Sequence, residues 1–212
     1  MAYLIKRSLN ARYCAMLSVP NRPPRFLDSW EDLGQVKLGI DDVPKNALLT
    51  SSHSRLPDFI YISPRFAMSK DVRDLLLSLE PEIGQFFPVE IRREKGDKPI
   101  LNRHGLPLTE PYYIYNPLTR LDSINVERSI VRVRPYTTPD GRTEAFVDDT
   151  SAGGTKGLLL RSDVINGHHF WRGNLHMQFS YFVSDIFWNH VKREKYTGLE
   201  GYYVQEEYLY RP

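Results

Sequence analysis

The amino-acid sequence predicts an α+β fold, with mixed, mainly antiparallel sheets and two serine-capped helix–turn–strand units. Three observations carry that class. Val72, Leu75, Leu76 and Leu79 follow Ser69 at the spacing of one helix face, and then come the turn glycine Gly84 and an aromatic strand over 85–91. Ser184 and Asp185 precede Phe187, Trp188 and Val191 on a second helix face, with Gly198 and a strand over 199–206 completing the same plan. Val131 and Val133 alternate with Arg132 and Arg134, as a half-buried strand requires. The two units read as a pseudo-repeat, or equally as two separate instances of one common supersecondary unit.

Along the chain, residues 1–55 form an N-terminal segment, β-rich or irregular, and residues 56–212 an α+β domain that packs with it as one unit. Tyr3, Leu4 and Ile5, and later Tyr13, Ala15 and Leu17, suit short strands. Pro20, Pro23 and Pro24 predict a turn or extended linker, because each fixes φ and moves its predecessor out of the helical region. Residues 28–34 suit a single helical turn ending at Gly34.

From Leu56 and Pro57 a strand runs to Ile62. Ser69 stands at an N-cap position, Asp71 in the first turn complements the helix dipole, and Pro81 ends the helix. Residues 92–98 read as a charged hairpin tip and 111–116 as a strand broken by Pro117. Asp140-Gly141 predicts a hairpin turn before a short strand at 145–147, and 151–157 a flexible loop or joint. Residues 170–172 end a strand, Lys192, Arg193 and Lys195 match the negative end of the last helix, and Gly198 suits its C′ position.

Composition narrows the function classes. In 212 residues, Lys+Arg 28 stand against Asp+Glu 26, a net charge of +2, which argues against both a polybasic nucleic-acid binder and an acidic mimic. The single cysteine, Cys14, excludes an internal disulfide framework and a Cys-rich zinc ribbon. Lys6, Arg7, Asn10 and Arg12 interrupt the first apolar residues, so no signal peptide is expected and the cytoplasm is the expected compartment. No apolar run approaches the roughly 20 residues of a spanning helix.

Candidate chemistry is sparse. His168, His169, His176 and His190 form the one cluster that points to a metal, and through it to a hydrolase or nuclease. Their spacing matches no HExxH pattern, and turn or surface histidines account for them as well. Cys14 lies in an apolar run, where a lone cysteine is usually a small core residue, and no GxSxG elbow exists. In Gly153-Gly154-Thr155-Lys156-Gly157 a glycine follows the lysine where a P-loop needs Ser or Thr.

Arg128, Arg132 and Arg134 with Tyr112, Tyr113 and Tyr115 suit either an aromatic–basic nucleic-acid surface or an ordinary soluble sheet. The acid pairs Asp41-Asp42, Asp148-Asp149 and Glu206-Glu207 suit solvated loops, strand edges or a basic partner. The candidate partner-binding residues are therefore Asp41, Asp42, Asp148, Asp149, Tyr112, Tyr115, Arg132 and Arg134. No catalytic, cofactor-binding or metal-ligating residue is assigned.

One resemblance rests on particular residues. Pro57-Asp58-Phe59, Ser69, Leu75-Leu76, Leu79-Glu80, Gly84 and Phe86-Phe87-Pro88-Val89 resemble the hallmark block of a bacterial polymorphic-toxin immunity domain. Tyr113–Asn116, Leu121-Asp122, Glu127–Ser129, Phe170–Arg172, Val183–Asp185 and Thr197–Glu200 are similar to its central and C-terminal blocks. The resemblance covers roughly residues 56–206, and the first 55 are only loosely alike. It implies a cytoplasmic immunity protein that binds and neutralises a cognate toxin encoded nearby and delivered between competing bacteria, for example by type VI secretion. It implies no cofactor, no nucleic acid and no membrane, and it carries no catalytic residue over. Toxin-facing residues are expected in loops and the N-terminal segment, since function sits in sites placed on folds.

Overall fold

Around residues 56–93, proline and glycine punctuation and apolar spacing produce the predicted strand, helix and strand, with one further strand inserted before the helix. The computed structural model describes residues 1–8, 17–20, 23–27, 36–52, 54–62, 65–130, 132–137, 143–148, 157–173 and 181–207. Its strands are β1 (Ala2–Arg7), β2 (Leu17–Ser18), β3 (Asn46–Leu49), β4 (Phe59–Ile62), β5 (Arg65–Met68), β6 (Gly84–Arg93) and β7 (Tyr112–Pro117). They continue with β8 (Arg120–Leu121), β9 (Arg132–Thr137), β10 (Thr143–Asp148), β11 (Leu159–Arg161), β12 (Phe170–Gly173), β13 (Tyr181–Ser184) and β14 (Leu199–Glu207). The helices are α1 (Pro24–Leu27), α2 (Lys70–Leu79), α3 (Ser162–Ile165) and α4 (Asp185–Arg193), and Ile40–Asp42 form a 3-10 turn.

The α+β class read from the sequence is the one observed. Among the described residues two six-stranded, mostly antiparallel sheets form, ordered β2-β3-β6-β7-β5-β4 and β11-β14-β1-β13-β12-β8. The hairpin β9–β10 stands apart, with Thr137 opposite Thr143 across the predicted Asp140-Gly141 turn, which itself lies outside the described residues.

The likeness of the two helix units extends to their sheets. In the first sheet β3 is parallel to β6, and the steps β6–β7, β7–β5 and β5–β4 are antiparallel. In the second, β11 is parallel to β14, and the steps β14–β1, β1–β13 and β13–β12 are antiparallel. Both five-strand runs thus share one order of directions, and α2 leads from β5 to β6 as α4 leads from β13 to β14. The central strand differs in origin: β7 follows β6 along the chain, whereas β1 comes from residues 2–7. Strands from the first 55 residues thereby enter both sheets, β3 against β6 and β1 between β13 and β14.

An aromatic core joins the halves. Phe59, Phe66 and Tyr115 from the first sheet meet Phe170 and Tyr181 from the second, with α2 adding Val72 and Leu76 and α4 adding Phe187 and Val191. Ring centroids lie 5.0 Å apart for Tyr115–Phe170, 5.2 Å for Phe66–Tyr181 and 6.4 Å for Phe59–Phe187, tilted or edge-on as ring quadrupoles favour. Arg65 is buried in the first sheet, where Nε donates to Asn116 Oδ1 at 3.2 Å and Nη1 to Phe26 O at 3.0 Å, tying α1 to the strands. Burial pushes its pKa down to about 10, so the guanidinium stays charged near neutrality.

Three local readings change. Residues 65–68 form β5, a strand that the sequence reading left out, and α1 occupies part of the stretch read as an extended linker. The suggested turn at 28–34 lies outside the described residues. The end of α4 is set by Lys195 and not by Gly198. Lys195 takes φ 56°, its N–H donates to Lys192 O at 3.3 Å, and Tyr196 N–H donates to Val191 O at 3.0 Å, the two bonds of a Schellman cap.

Gly198 serves a different need. Its φ is 99°, and a Cβ there would stand 2.2 Å from Phe59 O. Its neighbours stitch the sheets: Ser8 N–H donates to Gly198 O at 2.9 Å and Phe59 N–H to Thr197 O at 3.0 Å. Gly167 has a similar φ of 82° but open space around it. We expect Gly198→Ala to destabilise the protein by about 3 kcal/mol and Gly167→Ala by only about 1 kcal/mol, in denaturant unfolding of both variants. Equal losses would show that close packing at Gly198 adds nothing to backbone strain.

Candidate functional site

Pro57 leads the chain extended towards β4, and Asp58 follows with its side chain 2% exposed. An isolated carboxylate there would cost several kcal/mol, so its partners determine whether the site can exist. Thr197 donates twice to Oδ2, from its N–H at 2.8 Å and its hydroxyl at 3.0 Å. Ser69 Oγ donates to Oδ1 at 3.2 Å, and Arg103 Nε stands 3.5 Å from the same oxygen. Burial raises the Asp58 pKa above the usual 3.8 and outweighs the opposing pull of Thr197, Arg103 and Ser69.

Ser69 therefore has the backbone of an N-cap, φ −63° and ψ 161°, but gives its hydroxyl to Asp58 and not to the helix. Ser184 is a full cap, accepting from Phe187 N–H at 3.1 Å. Arg103 is fixed from several sides: Nη1 donates to Glu194 O at 2.6 Å, the guanidinium lies 4.4 Å from the Tyr196 ring centre, and Nη2 stands 3.6 Å from Asp71 Oδ2. A cleft of about 240 Å³ opens beside this set, with Lys70, His104 and Glu110 on its walls.

A second cleft, of about 710 Å³, lies at the start of α4 among Asp163, His168, His169, Asp185, Ile186 and Glu206. Glu80, the residue after α2, holds two of the candidate histidines. Its Oε1 lies 2.9 Å from His168 Nδ1, and its Oε2 accepts the His169 backbone N–H at 2.9 Å. His169 Nδ1 lies 2.8 Å from Ser184 Oγ, and burial lowers the imidazole pKa. His190 Nδ1 instead accepts from Arg193 Nη2 at 2.7 Å, and His176 lies outside the described residues. Among the described residues, no three His, Cys, Asp or Glu side chains converge on a point for a metal ion.

The candidate partner residues are not brought into one patch by the contacts described. Asp41 and Asp42 sit on the exposed 3-10 turn, where Lys45 Nζ is 3.1 Å from Asp41 and Asp42 accepts the Gly39 N–H at 2.7 Å. Arg132 and Asp148 are register partners in the hairpin, and Arg134, opposite Phe146, is exposed. Asp149, Cys14 and residues 151–156 lie outside the described residues.

Tyr112 and Tyr115 are buried, which corrects their reading as surface aromatics. Tyr112 donates to Pro57 O at 2.8 Å and Tyr115 to Ile83 O at 3.0 Å, and burial pushes both phenol pKa values up. The pleat of β7 sends the two rings to opposite faces of the sheet, and both faces are covered: Tyr112 packs in one apolar cluster with Leu56, Val89 and Ile114, and Tyr115 in the other with Phe66 and Phe170. The sequence reading, for its part, missed Asp58, Arg103, Thr197 and Glu80 as organising groups. The available signal was an acid set between Pro57 and Phe59 at the head of an apolar strand.

A family model described as an immunity protein family, Imm11, matches residues 17–206. The chain belongs to the Imm11 immunity protein family. A comparison with curated proteins finds no match. The Imm11 match begins well upstream of the resemblance read from residues 56–206, so β2, α1, β3 and the turn with Asp41 and Asp42 fall within it. In this Imm11 chain three of the quoted motif blocks, Pro57-Asp58-Phe59, Ser69 and Thr197–Glu200, meet at one buried carboxylate. No helix among the described residues is long and apolar enough to cross a membrane.

Removing the Asp58 carboxylate leaves Thr197, Ser69 and Arg103 without their acceptor, so Asp58→Ala should cost about 3–5 kcal/mol in denaturant unfolding. Asp58→Asn tests the charge alone. Because the folded pKa lies above the unfolded 3.8, the ionisable contribution is fully present below 3.8 and is lost as pH rises through the folded value. Wild type should therefore gain stability relative to Asp58→Asn as pH is lowered through that window, and a pH-independent difference would contradict the assignment.

Proposed function

We propose that this protein neutralises a cognate bacterial toxin by binding it, without chemistry of its own. The observation that carries this reading is the Imm11 match over residues 17–206. The disposition of the polar groups supports it. Asp58 is occupied by Thr197, Ser69 and Arg103, and Glu80 by His168 and His169, so these groups hold backbone segments together. The toxin is encoded beside the protein, and the encounter takes place in the cytoplasm with no cofactor, nucleic acid or membrane taking part.

A binding inhibitor derives most of its affinity from a few buried aromatic or arginine anchors, while peripheral charges set the encounter rate and reject wrong partners. Covering the toxin's active site is the simplest mode of action. Co-expression with the toxin gene adjacent to its own should restore growth to cells that the toxin alone kills, and the two proteins should co-purify. Survival without a complex would point to an enzymatic antidote, and neither survival nor a complex would end the immunity reading.

A further inference from the structure

The face of the second sheet beside α4 carries an aromatic strip that the core leaves partly open. Tyr3 on β1 is the register partner of Tyr203 on β14, with centroids 6.0 Å apart, and Tyr203 is 51% exposed. Trp188 from α4 lies 5.6 Å from Tyr3 and covers Gly201, where a Cβ would meet the indole at 2.4 Å. Ile5, between Tyr3 and Arg7 on the same face, is fully buried beside the Trp188-covered Gly201, and beyond it Leu199, opposite Arg7, and Tyr61 of β4 are again partly open. Tyrosine and tryptophan supply large amphipathic area at low entropy cost, and binding hot spots are enriched in them.

Two cations lie on this strip. Lys192 Nζ is 5.8 Å from the Tyr3 ring centre, and the Arg7 guanidinium is 5.6 Å from that of Tyr61. The other cations stacked on rings among the described residues are neutralised or enclosed: Arg73 pairs with Asp74, Arg103 approaches Asp58 and Asp71, and Arg65 and Arg172 are buried. Lys192 and Arg7 are exposed, and among the described residues neither has a carboxylate partner. Nearby acids are committed elsewhere. Glu200 takes the hydroxyls of Ser8 and Tyr202 on the opposite face of β14, and Asp185 accepts the Ile186 N–H two turns before Lys192.

We infer that this strip is the docking surface for the toxin and that it takes an acidic segment with an apolar anchor. The inference rests on the immunity reading and names the surface and the chemistry of its partner. An apolar or aromatic side chain of the toxin lies against Trp188 and Tyr203, and carboxylates on either side reach Lys192 and Arg7. Tyr3 and Arg7 stand about 13 Å apart along β1, a separation that acids about four residues apart in an extended segment span. Charge complementarity selects an acidic segment, since a basic one would meet both unneutralised cations.

The test measures binding of the purified C-terminal domain of the toxin encoded by the adjacent gene. Its subjects are wild type, Arg7→Glu/Lys192→Glu, Tyr203→Ala and, as a control in the larger cleft, Asp163→Arg. The double reversal should weaken binding at least tenfold and flatten or invert the fall of the on-rate with salt seen for wild type, and Tyr203→Ala should weaken binding about fivefold or more. Asp163→Arg should remain within twofold of wild type. All four should melt together, and Arg7→Gln/Lys192→Gln replaces the double reversal if that variant does not.

Wild-type binding that the strip variants leave unchanged would overturn the inference while the immunity reading stands, and a loss confined to Asp163→Arg would move the interface to the cleft. Absence of wild-type binding and protection would remove both. Two further outcomes would overturn the proposed occupant: wild type held on duplex DNA with steep salt dependence that the strip variants abolish, or a self-associated wild type that these variants render monomeric.

Discussion

A buried carboxylate sets the terms for this molecule. Asp58 gives up water to sit where β4 begins, and that position is tenable only if donors come from elsewhere in the chain. Ser69 brings the start of α2 and Thr197 the turn after α4, while Arg103 arrives from the connection between β6 and β7. Phe59 N–H and Ser8 N–H then bond to the carbonyls of Thr197 and Gly198, so one turn touches both sheets. Satisfying a single desolvated charge thus fixes how two helices and two sheets meet, and the aromatic core fills the space this arrangement leaves.

The matching strand orders give the arrangement a second kind of economy. Each half solves the same problem, a helix crossing over a sheet past one intervening antiparallel strand, and each turns its helix towards the same shared core. What differs is the outside. The first sheet carries α1 and the Asp41-Asp42 turn, and the second presents Tyr203, Ile186 and the cleft at the start of α4. Two similarly ordered sheets over one core can carry dissimilar surfaces, because surface chemistry can vary while the packing stays intact.

Local physics made part of this legible in the sequence. Apolar spacing and a preceding serine located α2 and α4, and alternation placed the hairpin strands, because these signals act within a few residues. Strand pairing did not follow, since nothing in residues 2–7 marks them for a place between strands that begin at 181 and 199. Tyr112 and Tyr115 read as surface aromatics because nothing local in a tyrosine-rich strand shows that both of its faces are covered, as those of β7 are. Gly198 was correctly singled out but given the wrong duty: a lysine tolerates the left-handed cap, while only a glycine fits against the Phe59 carbonyl. The Asp58 set was visible as motif residues, yet its meaning depends on Thr197, which local signals do not connect to it.

The seat of β1 has a bearing on how the chain comes to be made. Its neighbours, β13 and β14, leave the ribosome long after it, so the second sheet cannot close until they emerge. Until then Tyr3, Leu4 and Ile5 form a short apolar strand without its final partners, while the first sheet, apart from β2, is assembled from residues 46–117 and can order itself early. Pairing of such separated segments carries a large loop-closure cost and tends to be slow. Closure of the second sheet therefore waits on a pairing between segments far apart in the sequence, and β1 stays without its final partners until that pairing forms.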